Sequence, residues 1–206
     1  MKKISEQAYF CLTYISQFLT FLYVIPVGKF LMRIKINKPD NLIIKPGTLI
    51  ISNHQSKSDP FFIAYHMGWK NALTNFPLHF PTTHEFMTIP ILGWYLWSLN
   101  CFNVGITTFD KAKILLKIRD LLKQNKTVVL FPEGQRIKVG NEVEEFHPGF
   151  DILLRDKAPI LMVRIYNFNN WSIFNPKKKQ VTMDFKELSN ELTLDEKKSI
   201  ISSFYR

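Results

Sequence analysis

The sequence predicts an α/β fold, a single domain whose mixed, mostly parallel sheet is flanked by helices, and three observations predict it. Short apolar, β-branched runs alternate with stretches of helical periodicity, the order that builds a sheet with helices on its faces. Two of those runs, residues 49–51 and 127–131, are almost wholly apolar, as strands covered on both sides are. Each ends in a polar loop, the place where α/β proteins hold reactive groups on a rigid scaffold within reach of solvent. With 206 residues, 46% hydrophobic and 21% charged, the chain is long enough to bury one core and too apolar to be disordered.

Taken in order, the chain begins with a charge-free stretch between Glu6 and Lys29. Residues 7–28 are dominated by Tyr, Phe, Leu, Ile and Val and are long enough for a spanning helix of about 20 residues. Thr13, Ser16, Gln17 and Thr20 fall on one helical face, which gives a thin polar stripe and a broad aromatic face. Such a helix suits the membrane interface, a single span, or a buried core position. Residues 1–32 are therefore expected as an N-terminal membrane-associating helical segment, and residues 33–206 as the α/β domain. Pro26 and Gly28 end the segment, and Lys29, Arg33, Lys35 and Lys38 follow where anionic headgroups would lie. Glu6 spoils a basic leader and residues 25–29 make a poor small-residue cleavage site, so a cleaved signal peptide is not expected.

Residues 33–37 alternate charge with Ile and read as a strand, ahead of a loop holding Pro39 and Pro46-Gly47. After the strand at 49–51, Asp59 and Pro60 open a helix over 61–67, with Asp59 as its N-cap. Residues 69–81, punctuated by Pro77 and Pro81, read as irregular. Residues 84–100 are rich in aromatics and contain Pro90 and Gly93, so they read as two short helices or a broken one, lining a groove or forming ordinary core. A strand follows at 101–104. Residues 110–126 are the cleanest amphipathic helix, with Ile114, Leu115, Ile118, Leu121 and Leu122 on one face and Lys and Arg on the other. The strand at 127–131 runs into Pro132-Glu133-Gly134-Gln135-Arg136. Then come a helix over 146–156, strands at 159–166 and 181–185, and a last helix over 193–204 whose Thr193 and Glu196 form a capping box.

His54 and Asp59 are the candidate catalytic pair. Imidazole accepts a proton near neutral pH, and a nearby carboxylate fixes its tautomer and steadies the cation that forms. The spacing alone is a weak signal, and the cap at Asp59 is compatible with it. In the second loop Arg136 has the forked donor set that suits phosphate, and Gly134 allows a turn that brings N–H groups close; an ordinary turn is the plainer reading. Lys and Arg outnumber Asp and Glu by 27 to 17, a formal charge of +10, which favours an anionic partner: a phosphorylated small molecule, an anionic membrane surface or nucleic acid. No recognition motif accompanies the charge, so nucleic acid is not expected. No Gly-x-Ser-x-Gly elbow marks a serine esterase. Cys11 and Cys101 lie far apart, so neither a disulfide framework nor a metal site is expected, and both are expected to be reduced and structural.

Asn53-His54-Gln55-Ser56-Lys57-Ser58-Asp59, then Phe131-Pro132-Glu133-Gly134-Gln135-Arg136, then Ala158-Pro159-Ile160, in this order and spacing, resemble the glycerolipid acyltransferases. More narrowly the chain is similar to the 1-acylglycerol-3-phosphate acyltransferase group from about Lys35 to Tyr166, and Phe146 and Gly149 match its Phe-x-x-Gly. The resemblance implies that His54 is the general base on an acceptor-lipid hydroxyl and that Asp59 orients its ring. The oxygen then attacks the thioester of an acyl-CoA or acyl carrier protein directly, with no acyl-enzyme and no cofactor beyond that co-substrate. It also implies that Glu133 and Arg136 bind the glycerol-phosphate part of the acceptor.

The leading acceptor is lysophosphatidic acid, with phosphatidic acid as product. Glycerol-3-phosphate, another lysolipid, or an inactive lipid-binding relative are the alternatives. Lysophospholipid, acyl thioester and the membrane surface are the implied partners. The implied location is membrane, peripheral or single-pass, with the catalytic domain cytoplasmic. Two positions depart from the family. Gln135 stands where Thr is usual, and Asn103-Val104-Gly105 carry no Arg where the family's second block ends its strand with one. Lys57, Lys111 or Lys113 is expected to supply that charge.

Overall fold

The first helix, α1 (Glu6–Pro26), starts where the Ser5 hydroxyl accepts from the Ala8 N–H at 3.2 Å, and a π-helical turn, Val27–Met32, closes it. Gln17 explains why the polar stripe faces inward. Its Nε2 donates to the carbonyls of Leu78 (2.7 Å) and Leu99 (2.8 Å), and its Oε1 accepts from Leu78 N–H (2.8 Å), so a buried amide is satisfied by backbone it cannot leave. Phe21, one turn on, meets Tyr65, Trp69 and Phe76 edge-on. Phe10, Ile15, Leu19, Leu22 and Tyr23 lie exposed on the outer side. The structure, a computed structural model, describes residues 5–134, 136, 146, 148–169 and 180–205.

Beyond α1 the elements are β1 (Lys35–Asn37), β2 (Leu49–Ser52), α2 (Asp59–His66), α3 (Trp69–Asn75), β3 (Phe80–Thr82), α4 (His84–Thr88), α5 (Leu92–Ser98), β4 (Cys101–Asn103) and α6 (Thr108–Lys123). They continue with β5 (Val128–Leu130), a 3-10 turn (Pro148–Phe150) leading into α7 (Asp151–Leu154), β6 (Ile160–Tyr166), β7 (Thr182–Leu188) and α8 (Leu194–Tyr205). The main sheet has the order β1-β7-β6-β2-β5, parallel throughout except for the antiparallel β6–β7 pair. A parallel β3–β4 ribbon extends it, because His79 bridges to Val128 and exchanges bonds with Thr127 and Val129, each at 3.0 Å. The strand period of two splits β2 between two cores. Ile50, with Val129, Leu161 and Val163, packs toward α1 and α2. Leu49 and Ile51, with Val128 and Met162, pack toward α6, α7 and α8.

Four expectations need correction. Residues 69–81 are not irregular but form α3 and β3, since two asparagines that look like loop residues are turned to buried work. Asn71 accepts from Ile44 N–H (2.9 Å) and donates to the Leu42 carbonyl (2.9 Å). Asn75 donates to the Ile44 carbonyl (3.0 Å) and accepts from the Thr127 hydroxyl (2.6 Å). The α6 helix begins at Thr108, because Thr107 and Asp110 form a capping box ahead of it. The segment 146–156 divides into the 3-10 turn and α7, with His147 outside the described residues. Cys101 is buried, its thiol pushed up to about 11 by burial, whereas Cys11 is exposed on α1 and packs no core.

Burial lowers the pKa of His79 to about 4, with Lys126 adding to the fall, and that of His66 to about 3, with Lys38 adding. Both rings stay neutral in the fold and take up a proton in the unfolded chain below about pH 6.5. The unfolded state therefore binds more protons between about pH 4 and 6.5, so this contribution is full above that window and lost as pH falls through it. Urea midpoints at about pH 7.5 and 4.5 measure the loss, and His79→Gln makes the pH dependence shallower.

Candidate active site

At the end of β2 side chains take over from the backbone. Asn53 Nδ2 donates to the Ile165 carbonyl (2.8 Å) and its Oδ1 accepts from Ile165 N–H (2.7 Å), which adds one more rung between β2 and β6. Gln55 Oε1 accepts from Phe168 N–H at 2.7 Å. Between these two anchors stands His54, whose Nδ1 lies 2.9 Å from Asp59 Oδ2. That oxygen also accepts the N–H groups of Gln55 (2.7 Å) and Ser56 (2.8 Å). Asp59 is wholly buried, while the His54 side chain is 21% exposed.

Asp59 is thus not the N-cap, a position that Ser58 occupies without a side-chain bond; it lies in the first turn with its carboxyl folded back into the loop. Burial pushes the Asp59 carboxyl above its ordinary value, and the His54 ring and the Ser56 and Gln55 N–H groups work against that rise. Three neighbours point toward Oδ2, two of them certain donors. That assigns the ring proton to Nδ1 and makes Nε2 the acceptor.

The second loop meets the first. Phe131, just past β5, stacks on the His54 ring with centroids 4.2 Å apart. Glu133 is buried, and its Oε1 accepts the His54 N–H at 3.0 Å, so the two loops are joined by a carboxylate as well as by a ring stack. Gly134 turns the chain at φ +72°, a conformation that L side chains seldom adopt. Arg136 and Lys57 line the same groove as His54, and Lys57 Nζ sits 4.9 Å above the Phe86 ring. Lys113 lies instead over the exposed Phe109 on α6, 4.2 Å from its centroid. The Lys111 side chain and Gln135 fall outside the described residues.

The groove has a volume of about 710 Å³ and is mostly apolar, with Phe21, Val24, Phe80, Leu96, Leu115 and Phe150 among its walls. That volume suits a drug-sized or lipid-sized ligand. Sequence reasoning misses the supporting parts: Asn53 and Gln55 as anchors, Phe131 as the platform under the ring, and α1 as a groove wall. The signal for the first two is a pair of amides flanking a histidine directly after a buried strand, where lone polar side chains must find backbone partners.

Fold and site together define an α/β protein that carries a histidine, seated on a buried carboxyl, at an apolar groove. The chain belongs to the acyltransferase family, whose profile, described as Acyltransferase, matches residues 33–166. It is 25% identical over 146 residues to a 1-acyl-sn-glycerol-3-phosphate acyltransferase of Borreliella burgdorferi, covering 70% of this chain and 55% of that protein. A protein of the same name from Pseudomonas aeruginosa is 27% identical over 139 residues, covering 64% of this chain and 49% of the relative. The chain therefore spans about half the length of these relatives. It shares its fold with the crystal structure of the 1-acyl-sn-glycerophosphate (LPA) acyltransferase, PlsC, from Thermotoga maritima, at a TM-score of 0.55 and 18% identity over 95% of both chains.

Proposed function

We propose that the chain is a membrane-associated O-acyltransferase that moves a fatty acyl group from a thioester to the free hydroxyl of lysophosphatidic acid, giving phosphatidic acid. The observation that carries the reading is the 2.9 Å contact of His54 with a buried Asp59 beside a large apolar groove. The names of the relatives support the acceptor. In the reaction His54 Nε2 takes the hydroxyl proton as the acceptor oxygen bonds to the thioester carbonyl carbon. The C–S bond then breaks, and the departing thiolate receives that proton from the imidazolium. Asp59 holds the ring and offsets its transient charge.

Arg136 and Lys57 bind the acceptor phosphate, Arg136 through its fork of N–H groups. Glu133 helps bind the glycerol-phosphate part of the acceptor in this scheme, and through the bond its Oε1 accepts from the His54 N–H it also positions the ring. The donor is an acyl-CoA or an acyl carrier protein thioester, and the groove takes the hydrocarbon. Membrane association rests on α1. Together with the turn after it the helix forms an apolar run, Glu6–Phe30, that is mostly unburied, and its polar side is occupied by the domain. It lies in the interface of one leaflet, with the domain on the cytoplasmic side.

The test is incubation of the purified protein, in detergent and in vesicles, with labelled acyl thioester and a panel of lysolipids and glycerol-3-phosphate, with products identified by mass. Transfer to none of them overturns the reading, and preference for another acceptor overturns its substrate. Arg136→Ala raises the acceptor KM about tenfold or more and leaves kcat within about threefold, since the phosphate stays bound through the reaction.

A further inference from the structure

The groove and the outer face of the molecule meet between α1 and α5. Thr20, Phe21 and Val24 of α1, with Leu92, Tyr95 and Leu96 of α5, line it there. At one end of their contact the two helices are locked: the Tyr9 ring packs on Trp97 at 4.8 Å, its hydroxyl donates to the Trp97 carbonyl at 3.1 Å, and Gln17 holds Leu99. Farther along α1 the tie is lighter, an exposed hydroxyl pair, Thr20 Oγ1 and Tyr95 Oη, 2.9 Å apart. Such a bond breaks and re-forms readily where water or headgroups can replace either partner.

The turn between α4 and α5 is apolar and bare. Ile91 is 86% exposed, Trp94 64% and Ile89 46%. Ile91 has φ +62° and ψ −57°, a positive-φ conformation that is strained for a β-branched residue. Gly93 keeps the turn tight, for a Cβ there would stand 2.2 Å from the Met87 carbonyl oxygen. A strained isoleucine held out into solvent contributes nothing to the core. On the neighbouring helix Leu19, Leu22 and Tyr23 flank Thr20 and are exposed as well, and the basic Lys29 and Arg33 follow. Apolar tips with an aromatic beside them and cations close by are matched by one partner, the headgroup and upper acyl region of an anionic leaflet.

The geometry points to a lateral entrance: the turn at residues 89–94 sits in the same leaflet as α1, and a lipid chain passes from that leaflet into the groove between α1 and α5, where Thr20 and Tyr95 part to admit it. The inference rests on the lipid acyltransferase reading and adds the route and a second membrane contact.

In a Cys11→Ser background, Thr20→Cys and Tyr95→Cys are bridged with a bis-methanethiosulfonate reagent. Uptake of a fluorescent long-chain lysophospholipid from anionic phosphatidylglycerol vesicles is then followed by stopped flow. The bridge slows uptake about tenfold or more and reductant restores it. Uptake indifferent to the bridge, or absent from the unbridged protein, overturns the entrance. Uptake without acyl transfer upholds the entrance and counts against the enzyme reading alone. The leaflet contact is read separately. Ile91→Asp weakens vesicle binding about tenfold, and lipids brominated along the acyl chain quench a component of fluorescence that Trp94→Phe removes. Binding unchanged by Ile91→Asp, or no quenching assigned to Trp94, overturns it.

Discussion

His54→Ala lowers kcat by about 10²- to 10⁴-fold, the range a positioned general base supplies, and leaves the fold standing. Of the two contacts that join His54 to the second loop, the ring stack on Phe131 is lost, but the N–H bond to Glu133 belongs to the backbone and survives the change. The ring itself is partly exposed, so its removal opens no sealed cavity. Asp59 loses one of three partners at Oδ2 and keeps the Gln55 and Ser56 N–H groups, which holds the loop in place. The stability cost is therefore on the order of 1 kcal/mol. Single-turnover acyl transfer measured beside the thermal midpoint of the same sample separates the two effects. Turnover equal to the parent's ends the general-base assignment.

Asp59→Asn is the second large effect, with kcat down about 10²- to 10⁴-fold while the acceptor KM stays within about threefold. An amide matches the carboxyl in shape but offers one acceptor where the site needs a charge. If its oxygen takes the place of Oδ2, the NH₂ lands where Oδ1 is buried with no hydrogen-bond partner among the described residues. If it flips, the NH₂ faces the two backbone N–H groups and the ring, and His54 must change tautomer, which puts the proton on Nε2. Either arrangement spoils the base without touching the phosphate subsite. A variant that raises KM and spares kcat would instead mark Asp59 as an acceptor ligand.

Much of this is legible in the sequence, for identifiable reasons. Strands β2, β5 and β6 show as apolar runs because a central strand is covered on both faces. The α6 helix shows because Ile118, Leu121 and Leu122 alternate with cations at helical spacing. Where tertiary contacts decide, the sequence is silent. Pro77 and Pro81 make residues 69–81 read as irregular, and nothing local shows that Asn71 and Asn75 are to be held by the backbone of residues 42–44. The polar stripe of α1 is plain, yet only Leu78 and Leu99 determine that Gln17 faces the domain and the aromatics face out. Of the second loop, Gly134 and Arg136 can be read by residue type, whereas the bond from Glu133 to the next strand's loop is invisible before folding.

The amide rungs that Asn53 and Gln55 form with Ile165 and Phe168 carry one more consequence. They tie the His54 ring to the middle of the sheet, whereas much of the groove wall belongs to other elements, α1 and α5 among them. Changes of chain preference can therefore accumulate in α1 and α5 without disturbing the alignment of the base. Under the proposed function, the lipid handled can diversify while the bond-making step stays as it was.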